Sequence, residues 1–412
     1  MSAAIDERRQ SSSAIHVVQV RVHVKMQRVA SVAEGRSSPG SMPAVTADAP
    51  LEDRTTTGRG RRYLAYRTGS GARWVLPKRY RHRLTGVGMY VPYSLGGYAR
   101  KLLMLLGLAG ARVDSQDDPI GELEPLVFEA LGREDVSLAW YVGNRRAETK
   151  TSALAVDANG RAVAFAKLAM TPPARRSLER ERTNLEALEA AFDGAPPAPR
   201  PLAWRADTTA SVLITTAAPP SRAPRRFDTR HQRFLARLQA PFNRTVRFTA
   251  TPLWKAASEF MDRRCDRASE AWRARFTRTF DQLAATLAEE TITTSLAHRD
   301  FAPWNTRMAD DGLFAFDWEF ASTGYPTLHD YFHFHFMVGL LLDGGVSLDQ
   351  ARGWLQRAPE RERHMPHLLV AYLLDVARQY HGFYEGSTDV PDDPVLRQAA
   401  RLLDGVDQWL SS

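Results

Sequence analysis

Cysteine is nearly absent from this chain, because Cys265 is the only one in 412 residues. An intramolecular disulfide and a metal site built from several cysteines are therefore excluded. Long apolar runs are also missing, and the longest, at residues 102–110 and 337–342, fall short of the about 18 residues that span a bilayer. No apolar segment follows the N-terminal charges, so a secretory signal is not expected. These absences predict a cytoplasmic protein without a transmembrane segment.

Lysine is scarce as well, with six lysines against 49 arginines. Basic residues exceed acidic ones by 55 to 47, which gives a net charge of +8. Such an excess can indicate a nucleic-acid or anionic-membrane partner. Here most arginines alternate with aspartate and glutamate along the chain, so we expect no nucleic-acid partner. A hydrophobic content of 44% allows a sizeable core, and the length allows two or three domains.

The first 125 residues differ in composition from the rest of the chain. Residues 1–59 are rich in Ser, Arg, Ala and Gly and are expected to form a disordered, basic N-terminus, although residues 15–24 alternate like a strand. Residues 60–125 are expected to be an accessory segment that packs on the next domain and contains a helix near residues 98–108. The alternative for this segment is a basic and aromatic surface that contacts an acidic lipid at a membrane, a glycan or a protein partner.

From residue 126 the pattern changes to short strands separated by turns. The strands are expected at residues 136–143, 152–156, 161–170, 202–207 and 211–218, with a helix at residues 174–191. Asn159-Gly160 indicates a tight hairpin turn between two of these strands. We therefore expect a small sheet lobe over residues 126–218. A mostly helical lobe should follow over residues 219–412, interrupted around residues 296–320.

Two short motifs in the second lobe carry chemistry: HRDFAPWN at residues 298–305 and FDWE at residues 316–319. Phosphoryl transfer needs a carboxylate that orients the acceptor hydroxyl, oxygen ligands for Mg²⁺ and a cation on the phosphates. Asp300 could orient the acceptor, and Asn305 could bind the metal. A hairpin between the motifs would return Asp317 to the same place as a second metal ligand. Glu319 would either assist Asp317 in binding the metal or lie just outside the metal's ligands.

The paired motifs resemble those of the aminoglycoside phosphotransferase / choline kinase-like family over about residues 130–400. The resemblance implies an α+β, protein-kinase-like two-lobed fold, with a small antiparallel-sheet N-lobe and a larger helical C-lobe, here with an N-terminal extension. It implies that Asp300 is the catalytic base and that Asn305 and Asp317 bind Mg²⁺, with ATP as the phosphate donor. It further implies that Asp330 supports the loop of Asp300.

Lys167 ends an apolar strand at the position of the phosphate-binding lysine of this fold. A glutamate from the following helix should hold it. Glu181 lies three residues after Leu178 and four before Leu185, so it shares the inward apolar face of that helix, and we expect it to be the partner. The alternative is a lysine at the end of a strand that reaches solvent.

The nucleotide is expected between the two lobes. The loop that covers its phosphates should span residues 143–152, with contacts from Gly143, Thr151 and Ser152. The adenine should lie against residues 214–218, where Thr216 is a candidate contact. The histidines at 329, 333 and 335 suggest a zinc site, but only the first two share a helix face, so we do not expect one.

The sequence therefore predicts an ATP- and Mg²⁺-dependent phosphotransferase that modifies a hydroxyl of a small molecule: a sugar, an aminoglycoside-like compound or a glycan-related acceptor. The arginine-rich segments of the C-lobe favour a neutral or anionic acceptor at least as much as a cationic aminoglycoside. One alternative is a protein kinase, against which the short connection after Asp317 counts. The other is a nucleotide-binding scaffold, a pseudokinase without turnover.

Overall fold

The computed structural model describes residues 61–67, 73–143, 149–193, 195–222, 224–310, 312–360, 362–383 and 393–410. The N-terminus expected to be disordered, and the strand pattern within it, lie outside the described residues. The described chain forms a sheet lobe followed by a helical lobe, so the two-lobed α+β architecture is confirmed.

An eight-stranded antiparallel sheet builds the N-lobe. Its strands are β1 (Arg62–Arg67), β2 (Arg73–Pro77), β3 (Ala111–Asp114), β4 (Ser137–Val142), β5 (Thr151–Val156), β6 (Ala162–Ala169), β7 (Pro201–Ala206) and β8 (Ser211–Thr215). They lie in the order β3-β1-β2-β4-β5-β6-β8-β7. The hairpin expected between β5 and β6 is present, and Gly160 in its turn has a φ of +83°, which glycine adopts at little cost.

Residues 60–125 are part of this sheet and do not form a separate accessory segment. They supply β1, β2 and β3, and β2 pairs with β4 in the register Val75 to Trp140. The boundary expected at residue 126 falls inside a helix, Ile120–Leu131. The sequence did not reveal β1 and β2 because they are buried on both faces, which removes the alternation of apolar and polar residues that marks a half-exposed strand.

Four helices flank the sheet. They are α1 (Tyr80–Val87), α2 (Leu95–Leu106), α3 (Ile120–Leu131) and α4 (Pro172–Ala191). The helix expected near residues 98–108 is α2, which begins earlier because the Ser94 hydroxyl caps its N-terminus and ends earlier because Gly107 adopts a φ of +71°. Helices α1 and α2 cover one face of the outer strands, and α3 covers the other face.

The C-lobe is mostly helical. Its helices are α5 (Thr229–Gln239), α6 (Pro252–Arg263), α7 (Glu270–Leu287), α8 (His329–Leu342), α9 (Leu348–Arg357), α10 (Met365–Phe383) and α11 (Pro394–Leu410). Helix α8 is buried nearly all round, which fits its position in the middle of the core. Among the described helices, none is both long and apolar enough to cross a membrane.

Two three-stranded sheets interrupt these helices. One contains β10 (Arg244–Arg247), β11 (Thr291–Ala297) and β14 (Ser322–Pro326), and the other contains β9 (Ser221–Arg222), β12 (Thr306–Ala309) and β13 (Gly312–Ala315). The interruption expected around residues 296–320 was therefore too narrow. Strand β11 ends directly before the first motif, and β13 ends two residues before Asp317, so both motifs begin at the end of a strand.

Because the first three strands belong to the main sheet, we expect Leu76→Ala to destabilise the whole protein. Leu76 is fully buried, and removing such a side chain costs about 2–5 kcal/mol. Leu95→Ala is the matched control, since Leu95 is 86% exposed on the same segment. Urea unfolding of the full chain should show the main transition shifted in the first variant and unchanged in the second. A main transition that Leu76→Ala leaves in place would mean that this segment folds separately.

Candidate active site

Asp330, at the start of α8, holds the loop that carries the first motif. This fully buried carboxylate accepts the backbone N–H of His298 at 2.7 Å and that of Arg299 at 2.8 Å. Burial alone would raise the pKa of Asp330, but the neighbouring His329 ring and the hydrogen bonds from the loop backbone hold it below its usual value. The loop is thus tied to the core through a charged acceptor.

Arg299 occupies a backbone conformation that is unusual for a residue with a side chain. Its φ is +66°, which costs a non-glycine residue about 1 kcal/mol. The guanidinium offsets this cost, since it donates to the buried Asp375 at 3.0 Å and stacks over the ring of Tyr325 at 4.4 Å. Burial lowers the pKa of Arg299, but Asp375 more than compensates and raises it. The arginine is therefore a structural anchor of the loop.

His298 connects the two motifs. The backbone N–H of Asp300 donates to its Nδ1 at 3.3 Å, and its Nε2 lies 3.0 Å from the carbonyl oxygen of Phe316. Because Nδ1 accepts a hydrogen bond, the ring proton resides on Nε2 and is donated to Phe316. The ring is fully buried and braces the loop of Asp300 against the residue that precedes Asp317.

Asp300 and Asn305 lie together at the end of this loop. The amide nitrogen of Asn305 donates to Oδ2 of Asp300 at 2.7 Å and to its carbonyl oxygen at 3.0 Å. The other carboxylate oxygen, Oδ1, lies 3.3 Å from Nε2 of His333, whose Nδ1 is 3.3 Å from the Tyr372 hydroxyl. The carboxylate is 27% exposed, so it is oriented by its neighbours and still open to a ligand.

Asp317 sits at a tight corner after β13. Its φ is +73°, and the preceding N–H, that of Phe316, donates to the carbonyl oxygen of Asn305 at 3.0 Å. The corner is fixed from the N-lobe side by Asn184 of α4, which donates to the carbonyl oxygens of Trp318 and Ala321 at 2.8 and 3.0 Å. The chain direction thus brings the second motif beside the first and under α4.

Lys167 joins the two lobes at this corner. Its ammonium group donates to both oxygens of Glu181, at 2.5 and 2.7 Å, and to Oδ1 of Asp317 at 2.7 Å. Burial would lower the pKa of Lys167, but the carboxylates of Asp317 and Glu181 raise it above its usual value. Burial would likewise raise the pKa of Asp317, but Lys167 and then Lys150 hold it well below. Lys167 and Asp317 are therefore both charged at neutral pH.

A second lysine, Lys150, takes part in the same cluster and was not expected to. It precedes β5, its side chain is 11% exposed, and it forms an ion pair with Glu319. Ser177 of α4 also donates to that carboxylate. Nothing in the sequence around Lys150 distinguishes it from a surface lysine. The one available signal was the scarcity of lysine in an arginine-rich chain.

The residues expected to contact the nucleotide do not all lie on the same face of the sheet as Lys167. Ser152 pairs directly with Lys167 across β5 and β6 and so shares its face of the sheet, whereas Thr151 pairs with Leu168 on the opposite face. Gly143 lies at the end of β4, close to Thr149, and residues 144–148 of the loop lie outside the described residues. The register therefore favours Ser152 over Thr151 for a phosphate contact.

Thr216 follows β8, at the start of the linker between the lobes. Its N–H donates to the carbonyl oxygen of Arg200 at 2.9 Å, and its hydroxyl accepts the N–H of Arg200 at 3.0 Å. Both groups of Thr216 already form hydrogen bonds with the backbone of Arg200, so an adenine would have to use other backbone groups of the linker. Ala217 is a better placed candidate, because it packs in the same apolar cluster as Phe165 of β6.

The donor set beside Asp300 suits Mg²⁺. Asn305 uses its nitrogen in both of its bonds to Asp300, which leaves its Oδ1 as an acceptor, and Asp317 has a second carboxylate oxygen beyond the one that meets Lys167. Magnesium prefers oxygen ligands and takes few of them from protein. His335, one of the histidines considered above for a zinc site, instead stacks on Trp354 at 5.6 Å. Burial lowers its pKa to about 4.

The family model described as "phosphotransferase enzyme family" matches residues 147–367, more than half of the chain. The chain belongs to the phosphotransferase enzyme family. The family expected from the motifs is thus confirmed, together with the enzyme class, a phosphotransferase with an alcohol group as acceptor. The matched region includes Lys167, Glu181 and both motifs of this phosphotransferase. A comparison with curated protein sequences found no match.

Several solved structures are similar to this phosphotransferase at low identity. A thermostable mutant of aminoglycoside phosphotransferase APH(4)-Ia, in its apo form, has a TM-score of 0.49 and 14% identity, and the match covers 70% of this chain and 99% of that one. APH(3'')-Id from Streptomyces rimosus has a TM-score of 0.39 and 16% identity, covering 62% and 98%. These likenesses are too distant to assign a substrate.

We expect Asp330→Asn to destabilise this phosphotransferase by about 1–3 kcal/mol at pH 7, because an amide nitrogen would face a backbone N–H. The folded pKa of Asp330 lies below its unfolded value, so its contribution is present above pH about 4 and is lost as the pH falls through the folded pKa. The stability gap between wild type and variant should therefore narrow in acid.

Urea unfolding between pH 7 and pH 3 measures this gap. Asp349→Asn is the matched control, since that carboxylate is 92% exposed and its ion pair with Arg352 should contribute at most about 1 kcal/mol. A gap for Asp330→Asn that stays constant down to pH 3 would contradict the assigned role of the charge.

Proposed function

We propose that this protein transfers the γ-phosphate of ATP, in a Mg²⁺-dependent reaction, to a hydroxyl group of a small molecule. The observation that carries the proposal is the position of Lys167, which contacts Glu181 of the N-lobe and Asp317 of the C-lobe beside the loop of Asp300. Phosphoryl transfer depends on such positioning of charge more than on covalent chemistry. The arrangement supplies a cation, metal ligands and a carboxylate in one cleft.

In the proposed reaction Asp300 orients the acceptor hydroxyl and accepts its proton. Asn305 positions this carboxylate through Oδ2, and His333 contacts the other oxygen. Asn305 and Asp317 would hold the Mg²⁺, which supplies positive charge to the transferring phosphate. His298 keeps the two motifs in register and has no part in moving the proton, since both of its nitrogens are engaged with the backbone.

The two lysines are the proposed cationic contacts of the nucleotide. Lys167 and Lys150 are held by carboxylates on the inner side of the cleft, and both are charged donors that can reach phosphate oxygens. Ser152 lies beside Lys167 on the same face and could add a hydroxyl donor. The linker backbone at Ala217 would contact the adenine. This assignment adds Lys150 to the contacts expected from the sequence and gives Thr151 and Thr216 lesser roles.

The acceptor is proposed to be a neutral or anionic hydroxyl compound, such as a sugar or a glycan-related molecule, before a cationic aminoglycoside. Cationic acceptors need carboxylates that are free to bind them. Two carboxylates near the loop are already committed, because Asp330 accepts backbone N–H groups and Asp375 is held by Arg299 and Arg378. A protein substrate is less favoured, since residues 318–328 between Asp317 and α8 are short and contain β14.

We expect Asp300→Asn to lower kcat by about 10²- to 10⁴-fold while ATP binding is retained, because the variant loses only the base. Asp317→Asn should abolish the Mg²⁺-dependent part of the ATP-induced rise in melting temperature. The matched control is Asp310→Asn, an exposed carboxylate in the turn between β12 and β13. Phosphate transfer to a panel of sugars, glycans and aminoglycosides is followed by mass spectrometry, and ATP binding by thermal shift.

The outcomes separate the proposed function from its alternatives. Full transfer activity in Asp300→Asn would remove the proposed role of this residue. Phosphate found on protein and on none of the small acceptors would favour a protein kinase. Mg²⁺-dependent ATP binding without transfer to any acceptor, in wild type and control alike, would contradict the proposed reaction and favour a binding scaffold.

We expect Lys150→Met to raise the KM for ATP by about tenfold, with a smaller change in kcat, because a charged contact to the phosphates is lost. Lys255→Met on α6 is the matched control, since that lysine is exposed. Steady-state kinetics with the best acceptor of the panel measures both constants. An unchanged KM would assign Lys150 to holding Glu319 alone.

A further inference from the structure

Exposed apolar side chains are concentrated on one part of the N-lobe. Among the large hydrophobic residues that are substantially exposed in the described chain, eight of ten belong to residues 80–108: Tyr80, Leu84, Leu95, Tyr98, Leu102, Leu103, Leu106 and Leu108. Scattered exposed leucines need no explanation, but a contiguous group on one pair of helices indicates an interaction site. We call this group, on α1, α2 and the turn after α2, the α1–α2 surface.

Helix α2 is apolar on two opposite faces. Its inner face packs through Met104 and Leu105 against the sheet. Its outer face repeats leucine at 95, 102 and 106, with Tyr98 between them, a helical spacing that normally marks a buried stripe. Within the described chain this outer stripe is exposed, with Leu95 at 86% and Leu102 and Leu106 at 55% each.

The segment that forms the α1–α2 surface carries charge of one sign, although the exposed Glu134 and Asp135 lie near Lys78 and Arg79. In the sequence, thirteen arginines and lysines and no aspartate or glutamate occur between Asp53 and Asp114. Lys78, Arg79 and Arg81 are exposed beside Tyr80 and Leu84 on α1. An apolar stripe flanked by exposed basic residues is the composition of elements that lie in the interface of an anionic bilayer.

The helix pair is held in place and is not a loose tail. Arg83 of α1 donates to the carbonyl oxygens of Leu105 and Lys78 at 3.2 and 2.7 Å, which fixes α1 to the end of α2. The Thr85 hydroxyl donates to the carbonyl oxygen of Gly160 at 2.5 Å, which fixes α1 to the β5–β6 turn. A membrane would therefore meet a preformed surface and would pay little for ordering it.

The α1–α2 surface also adjoins the catalytic loop. Arg222 of β9 donates to the Tyr98 hydroxyl and, at 2.9 Å, to the carbonyl oxygen of Pro92. The ring of Tyr93 meets that of Trp304, within the first motif, edge to face at 6.4 Å. A membrane bound to this surface would thus lie close to the loop that carries Asp300.

We propose that the α1–α2 surface docks this protein onto an anionic lipid bilayer, with the leucines of α2 in the interface and the basic residues of α1 on the headgroups. A second copy of the chain is a poorer occupant, because it would bring the same positive charge to the contact. A nucleic acid would match the charge but would leave the leucine stripe exposed to water. A bilayer satisfies both parts of the surface, and docking requires no catalytic step.

Vesicle flotation of the full chain tests this proposal. The probes are neutral phosphatidylcholine vesicles and vesicles that also contain phosphatidylglycerol, each at low and high salt. We expect binding to the anionic vesicles to exceed binding to the neutral ones by about tenfold or more, and to fall with salt. The apolar variant is Leu102→Asp with Leu106→Asp, and its matched control is Leu202→Asp, half exposed on β7.

The charge variant is Arg79→Glu with Arg81→Glu. Its control is Arg263→Glu with Arg363→Glu, two exposed arginines of the C-lobe that give the same net charge. Both α1–α2 variants should lose anionic-vesicle binding by about tenfold or more, while both controls bind like wild type. Melting curves without vesicles should be unchanged, because the altered side chains are exposed.

Three results would overturn the proposal. Equal loss in the charge variant and in its control, with no loss in the leucine variant, would show only general attraction of a basic protein. Absence of vesicle binding together with concentration-dependent dimers that the leucine variant abolishes would make the surface a contact between copies. Absence of both vesicle binding and dimers would leave the surface without the assigned role.

Discussion

The contact of one buried ammonium group with carboxylates from both lobes is the constraint on which the site depends. Lys167 is placed by β6, Glu181 by α4 and Asp317 by the corner after β13. A buried lysine costs stability unless it is paired, so the fold must deliver all three groups together. The positive φ of Asp317 and the hydrogen bond from Asn184 to the following turn both help to place Asp317 beside the lysine.

The loop that carries Asp300 is likewise held by buried charged and polar groups that are paired with one another. Asp330 receives two backbone N–H groups, Arg299 is held by Asp375, and His298 joins the loop to the second motif. Each group is buried and each has its partner, as buried polar groups require. The result is a frame that orients Asp300 and leaves its carboxylate partly exposed. Much of the C-lobe core thus serves to orient one carboxylate.

The sequence was most informative where a motif or a helical repeat is contained in one short segment. The two motifs and the face of Glu181 were legible within about twenty residues, and the structure brings Lys167, Glu181 and Asp317 into contact. Strands β1 and β2 were missed because the pairing of β2 with β4 joins residues far apart in sequence, and because both of their faces are covered. Lys150 was missed for the same reason, since its partner Glu319 lies 169 residues away.

The charge balance of the cleft bears on the proposed need for a metal. Two lysines face three carboxylates there, those of Glu181, Asp317 and Glu319, so the cluster is already negative by one charge. A nucleotide triphosphate brought to the same lysines would add several more negative charges beside Asp317 and Glu319. Like charges at such short range repel strongly in a site with little water. Under the proposed function, a divalent cation held by Asn305 and Asp317 would offset that repulsion, so the carboxylates that hold the lysines would increase the need for the cation.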